Sequence, residues 1–288
     1  MNAMILRRYG APDVLESAEL PDPVPGPGEV LVRLEASAVN PIDLGVRRGD
    51  VLPDDPERFP MVLGWDGVGT VVGRGADAHA PPDGTRVLCM SAQPATGVGT
   101  HAELAALPAE RVVPLPDGLD TEIAVCLPLV GVTTLDALDA LALSAGETLA
   151  INGHPRAAIG AWARALAAAR GVRVVEVDEG TRTVDAALDV RGRDEARAAF
   201  DRVVDGGRYA TVVPESWKPG GPFAEERGIR PVVVENAASR DKLERLAALG
   251  ADGTLVPEIG RRWPLEALAD AHAALERPGP HGRQVLVH

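Results

Sequence analysis

Residues Leu149-Ala150-Ile151-Asn152-Gly153-His154-Pro155-Arg156-Ala157-Ala158-Ile159-Gly160 carry an apolar strand into a turn, and the turn leads into an Ala-rich helix from Ala161 to Arg170. No other stretch restricts the fold as much. A strand that stops in a glycine turn and restarts as a helix belongs to a parallel α/β sheet. Its helix N-terminus offers free N–H groups and the positive end of a dipole to an anion. Only the outer glycines, Gly153 and Gly160, stand where such a turn wants small residues, and His154, Pro155 and Arg156 fill its middle. Two readings stay open. Arg156 meets a phosphate directly, since a guanidinium fork suits phosphate oxygens, or His154-Pro155-Arg156 is a rigid surface turn filling the place of a departed ligand.

Strand and helix patterns alternate from this point on. A strand at 172–177 is followed by an apolar run at 184–190, a helix at 194–204 and a strand at 209–213. Val232-Val233-Val234 reads as another strand and 240–249 as a helix. Such alternation predicts a parallel sheet covered by helices. One spacing breaks the pattern, because only residues 178–183 separate the strand at 172–177 from the next apolar run. A helical crossover between parallel strands takes roughly a dozen residues, and six extended residues reach at most ~20 Å. No helical crossover therefore fits between these two strands.

Residues 1 to about 116 have a different texture, with short β-branched runs at 29–36, 67–72 and 86–90 punctuated by Gly and Pro. This predicts a compact β barrel or sandwich. A helix at 265–275 and a strand at 284–287 close the sequence. Aromatic residues are only 3%, so the core relies on Val, Leu, Ile and Ala. The net charge of −13 argues against nucleic acid or an anionic membrane as a partner. Cys89 and Cys126 stand singly and the histidines are scattered, so no zinc-ligand spacing is present. The first residues lack an apolar secretory core and no stretch reaches the length of a membrane span. A cytoplasmic location is the expectation.

Several short motifs then fall in a telling order: Tyr9-Gly10-x-Pro12-x-Val14-Leu15, Pro25-x-Pro27-Gly28-Glu29-Val30, Val39-Asn40-Pro41-Ile42-Asp43, Leu63-Gly64-Trp65-Asp66-x-x-Gly69, Leu127-Pro128-Leu129-x-Gly131-x-Thr133 and Gly282-Arg283-x-Val285-Leu286. In order and spacing the chain resembles the zinc-free quinone oxidoreductases of the medium-chain dehydrogenase/reductase superfamily. The resemblance implies an α/β protein, with a GroES-like β barrel over 1–120 and 255–288 and a truncated Rossmann-type parallel sheet domain over 121–254. Beside the short 178–183 segment it also implies that one helix and one strand of that sheet are missing, which leaves 172–177 as an edge strand. Where the family's zinc branch carries Cys and His-Glu, this sequence has Asn40-Pro41 and Trp65-Asp66, so no zinc is expected.

The resemblance also implies roles. Asn40, Asp43 and Asp66 become candidate catalytic residues, with Asn40 donating a hydrogen bond to a developing enolate oxygen. Thr133, Gly153, Arg156, Gly160 and Arg283 become candidate cofactor-binding residues, with Thr133 near the nicotinamide. Beside this stands a plainer reading, in which Asn40 and Asp43 hold a turn through side-chain to backbone bonds. Residues 44–51 lack the tyrosines expected there, and the only tyrosines are Tyr9 and Tyr209. Three functions follow as alternatives. The first is hydride transfer from NADPH or NADH to a small enone, enoyl or quinone substrate, through a degraded cofactor site. The second is a cofactor-independent isomerase, cyclase or lyase acting on a conjugated carbonyl compound, and the third a non-catalytic binding protein. A homodimer is expected through the apolar edge at 232–234, which left bare would invite aggregation.

Overall fold

The computed structural model describes the chain except for residues 53–55, 155–156, 178–182, 214–224 and 280–281. The first strands are β1 (Asn2–Leu6), β2 (Leu15–Glu19) and β3 (Glu29–Val39), and helix α1 (Pro41–Arg48) follows. Next come β4 (Met61–Val62), β5 (Asp66–Arg74), β6 (Arg86–Met90), α2 (Gln93–Thr96), β7 (Leu104–Pro108) and β8 (Val112–Pro114). Helices α3 (Thr121–Val125) and α4 (Pro128–Leu141) lead to β9 (Thr148–Asn152), α5 (Ala158–Ala169) and β10 (Arg173–Glu176). Then follow β11 (Val184–Asp189), α6 (Arg193–Asp201), β12 (Val203–Thr211), β13 (Val232–Val233) and α7 (Arg240–Ala251). The last elements are β14 (Ile259–Pro264), α8 (Leu268–Glu276) and β15 (Arg283–Val287).

The chain forms two compact units, Met1–Leu129 with Ala238–His288, and Val130–Ala237. The resemblance implies boundaries at 120 and 255, whereas α3 and α7 fall in the first unit rather than the second. Specific bonds hold α7 there. Ser239 caps it by accepting from the Lys242 N–H, and Arg240 donates to the carbonyls of His79 and Ala109, both at 2.7 Å. At Gly250 a Cβ would lie 2.6 Å from Leu127 Cδ1, so only glycine lets this helix approach so closely.

The first unit is built on β3, whose eleven residues pair antiparallel with β5 along most of their length. The end of β3 also pairs with β15 and its beginning with β7. This sheet runs β14-β15-β3-β5-β6-β8 with β7 joined to β3 off that path, and a smaller one runs β2-β1-β4. Alternation along β3 buries Val30, Val32 and Leu34 against Val71, Val87, Ala105 and Leu107. Each such apolar side chain removed from water contributes about 1.5–3 kcal/mol.

The second unit is a five-stranded parallel sheet in the order β10-β9-β11-β12-β13. β10 is an edge strand, and among the described residues no strand lies outside it, as the short 178–183 spacing predicts. Burial follows position. β9 is buried at every residue, as a central strand covered on both faces must be, whereas no residue of β10 is fully buried. On one face, Ala196, Ala199 and Phe200 of α6 lie at helical spacing against Ala150, Ala187 and Tyr209.

Candidate functional site

In the second unit, the parallel strands end in a polar seam. Asn152, Asp189 and Thr211 are register partners on three neighbouring strands, and all are buried. Asp189 Oδ1 accepts from Asn152 Nδ2 at 2.6 Å and from the main-chain N–H groups of Arg191 and Gly192 at 3.0 and 2.8 Å. Its Oδ2 accepts from Thr211 Oγ1 at 2.7 Å, and Asn152 Oδ1 accepts from the Val190 N–H at 2.7 Å. A buried carboxylate needs this many donors to offset its lost hydration. The loops after β9 and β11 are thereby tied together. Sequence reasoning missed all three residues, although each is a polar residue ending a strand that is otherwise apolar towards its C-terminus.

Gly153 follows with φ of +149°, and a Cβ there would lie 2.4 Å from Val190 Cγ2. Ala157 precedes α5 and provides no side-chain cap, so the first amides of this twelve-residue helix lack the usual side-chain acceptor. Above the seam opens a cleft of about 510 Å³, lined by Gly153, His154, Glu176, Val177, Arg191 and Glu195 among others. Its charges come as pairs. Arg164 of α5 donates to both Glu176 carboxylate oxygens at 2.6 Å and to the Gly153 carbonyl at 3.4 Å. Arg191 faces Glu195 at 3.4 Å. At Gly160 a Cβ would lie 2.8 Å from Arg164 Nη1, so this glycine makes room for the guanidinium. Arg156 lies outside the described residues. Thr133 lies on α4, buried.

In the first unit, the structure brings together Asn40, Asp43, Asp66 and Arg283, none more than 8% exposed. Asn40 precedes α1. Its N–H donates to Asp43 Oδ2 at 2.8 Å, while the Asp43 N–H donates to the Asn40 carbonyl at 3.0 Å. Asn40 Nδ2 donates to Asp66 Oδ2 at 2.9 Å and to the Ala38 carbonyl at 3.3 Å. Arg283 Nη2 donates to Asn40 Oδ1 at 2.8 Å and lies 3.4 Å from Asp66 Oδ2. Asp66 Oδ1 accepts from the Leu129 N–H at 2.7 Å, and Asp43 Oδ1 from the Gly64 N–H at 3.2 Å. Both Asn40 amide protons are thus engaged inside the protein. Arg283, expected on a cofactor, instead spends this nitrogen within the cluster. Burial pushes the Asp43 carboxyl up to about 7, with the neighbouring Asp66 charge adding to it. Burial likewise pushes Asp66 up to about 6, opposed first by Arg283.

Residues 26–117 match the family described as alcohol dehydrogenase GroES-like domain, and residues 163–286 match zinc-binding dehydrogenase. An alcohol dehydrogenase of Geobacillus stearothermophilus is 31% identical over 242 residues, covering 74% of this chain and 70% of that protein. The chain belongs to the medium-chain dehydrogenase/reductase superfamily. Within that superfamily it is quinone oxidoreductase-like, and an oxidoreductase. A quinone oxidoreductase of Pseudomonas aeruginosa is 28% identical over 325 aligned positions that cover 97% of each chain. That alignment is longer than the 288 residues here, so this superfamily member carries gaps relative to its relative. The fold is shared with the quinone oxidoreductase from Coxiella burnetii, at a TM-score of 0.88, 22% identity and coverage of 100% and 99%.

A matched family described by zinc binding raises the question of whether this chain's residues fit the metal. Around Asp66, the described residues do not. Zinc takes Cys, His or carboxylate ligands converging at about 2 Å. Here both Asp66 oxygens accept protein hydrogen bonds, and a guanidinium lies where a cation would be needed. Among the described residues no group of three His, Cys, Asp or Glu side chains is placed to hold a metal. No helix among them is long and apolar enough to cross a membrane.

Proposed function

We propose that this oxidoreductase holds a nicotinamide dinucleotide, NADH or NADPH, in the second-unit cleft and reduces a small enone, enoyl or quinone compound. One observation carries the reading. The cleft opens at the carboxyl ends of β9, β10 and β11, where the sheet order reverses direction from β9, and open α/β sheets bind ligands at such points. The residues present fit the dinucleotide. The uncapped start of α5 directs main-chain N–H groups and about half a positive charge at a pyrophosphate. Gly153 keeps the turn pressed against the β11–α6 loop, and Glu176 offers carboxylate oxygens to a ribose hydroxyl. When bound, the nicotinamide supplies the hydride.

Asn40, Asp43, Asp66 and Arg283 serve this reaction as positioning residues. Their cluster fixes the start of α1, the start of β5 and the β15 strand in one arrangement. The β13 edge, where Val232 is 40% exposed, supports a homodimer.

Titration of NADH and NADPH against the protein, read by nicotinamide fluorescence and by melting, tests the proposal. At 100 times Kd a bound cofactor adds about 2.7 kcal/mol of stability. Reduction of a panel of enones and quinones should then depend on the cofactor. No response to either dinucleotide, with conversion of a conjugated carbonyl in its absence, would transfer the assignment to a cofactor-independent enzyme.

A further inference from the structure

We propose that Arg164 is a specificity-determining residue, which lets the cleft accept a dinucleotide with or without a phosphate on the adenosine ribose. The inference rests on the cofactor reading above and deepens it. Glu176 ends β10 and lines the cleft. A lone carboxylate there would accept ribose hydroxyls and repel a ribose phosphate, because like charges within a few ångströms oppose each other strongly. Glu176 is not alone. Arg164 donates through Nε and Nη2 to both of its oxygens, at 2.6–2.9 Å. The pair is mostly shielded, with 18% and 29% of the two side chains exposed.

Arg164 comes from α5, the helix before β10, and reaches the strand end across the surface of Gly160. Its Nη1 is buried without a hydrogen-bond partner among the described residues. One charge-assisted donor therefore remains available when the pair rearranges around an anion. The other charged pair at the cleft, Arg191 with Glu195, is balanced as well. Arg202 adds a third guanidinium at the strand end, its Nη1 donating to the Glu176 and Val177 carbonyls, so among the described residues neither cofactor meets a net opposing charge. With NADH the bridge stays closed and Glu176 binds hydroxyls with its free lone pairs. With NADPH the guanidinium turns from Glu176 to the phosphate, which replaces one carboxylate partner by a dianionic one.

The test is the ratio of Kd values for NADPH and NADH, measured by fluorescence titration and calorimetry on the full chain. The wild-type ratio should lie within about tenfold of one. Arg164→Met should raise the NADPH Kd at least tenfold more than the NADH Kd. Glu176→Gln should move the ratio the opposite way. The double variant Arg164→Met/Glu176→Gln, which removes both charges, should return towards the wild-type ratio. Arg164→Lys keeps the charge without the fork, and it separates a lost charge from a collapsed turn. Its ratio should stay near wild type while both Kd values rise. If both dinucleotides bind but Arg164→Met leaves the ratio unchanged, Arg164 does not discriminate, and the cofactor reading stands without it. If wild-type protein binds neither dinucleotide, both fail.

Discussion

Gly153→Ala is the sharpest perturbation of the cleft. The new methyl would lie 2.4 Å from Val190 Cγ2, more than 1 Å inside ordinary contact between carbon atoms of about 3.5–4.0 Å. Val190 cannot simply retreat. Its N–H is bonded to Asn152 Oδ1 at 2.7 Å, and its neighbours Arg191 and Gly192 are bonded to Asp189. Two costs follow: overpacking against a pinned loop at about 1–3 kcal/mol, and φ of +149° imposed on alanine at about 1–3 kcal/mol. Together they predict a loss of roughly 2–6 kcal/mol in urea unfolding. The two are separable. Val190→Ala removes the contacted methyl, so in the double variant only the backbone cost should persist, giving a coupling energy of about 1–3 kcal/mol. Cofactor affinity should fall in Gly153→Ala and partly recover in the double variant. A Gly153→Ala protein as stable as wild type, or a cycle with no coupling, would refute the claim that Gly153 is required by its contact with the β11–α6 loop.

Asp66→Ala should cost about 3–5 kcal/mol in urea unfolding, because it strands the buried Arg283 guanidinium. Adding Arg283→Met should recover part of that loss, and a purely additive result would argue against the pair. Burial holds the His272 imidazole at about 3, with Arg47 and Arg48 adding to the effect. Since the folded value lies below the unfolded one near 6.5, its contribution is complete above neutrality and lost as pH falls. Lowering pH from 6.5 to 5 should therefore destabilise wild type relative to His272→Asn by about 2 kcal/mol; equal slopes would remove His272 from the account. Asp43 and Asp66 have the opposite sign, since their raised folded values stabilise below about pH 4 and that contribution fades as pH rises through 6–7. Val232→Lys, placed on the exposed β13 edge, should halve the mass measured by light scattering if the homodimer forms there. A mass that does not change would place any dimer contact elsewhere.

The parts of this fold that depend on local order were legible in the sequence. The runs at 184–190 and 149–151 read as buried parallel strands, and the short segment between 177 and 184 leaves β10 at the sheet edge. What could not be read is what register decides. Asp189 meets Asn152 and Thr211 only because β11 pairs with β9 and β12 in one particular alignment. Arg283 meets Asn40 across 243 residues of chain, and no periodicity reports such a contact. The same holds for Arg164. Its place in an Ala-rich helix looks like a solvated charge, and only the position of Glu176 on the adjacent strand makes it an ion pair. Asn40 shows the converse limit, since family resemblance suggested a free donor while its amide is bonded to the nearby Ala38 carbonyl and to Asp66, 26 residues away.

The shortened sheet therefore divides the cleft into parts with different dependence on what is missing. The turn after β9 and the loop after β11 are joined directly through Asn152 and Asp189, so their geometry owes nothing to any strand beyond β10. The helix N-terminus that would face a pyrophosphate belongs to α5, which packs on β9 and β10 and is likewise retained. Only the adenosine end of the proposed dinucleotide would border the sheet edge at β10. There the sheet stops at Glu176, and the one described cation bonded to its carboxylate comes from a helix already in place. Deleting a strand at an edge removes shelf area without unpinning the centre, because the central strands keep both their neighbours. Lost affinity should accordingly fall on the adenosine half of a ligand. The glycine turn, held by a buried carboxylate with four donors, is the part that binding would have to retain.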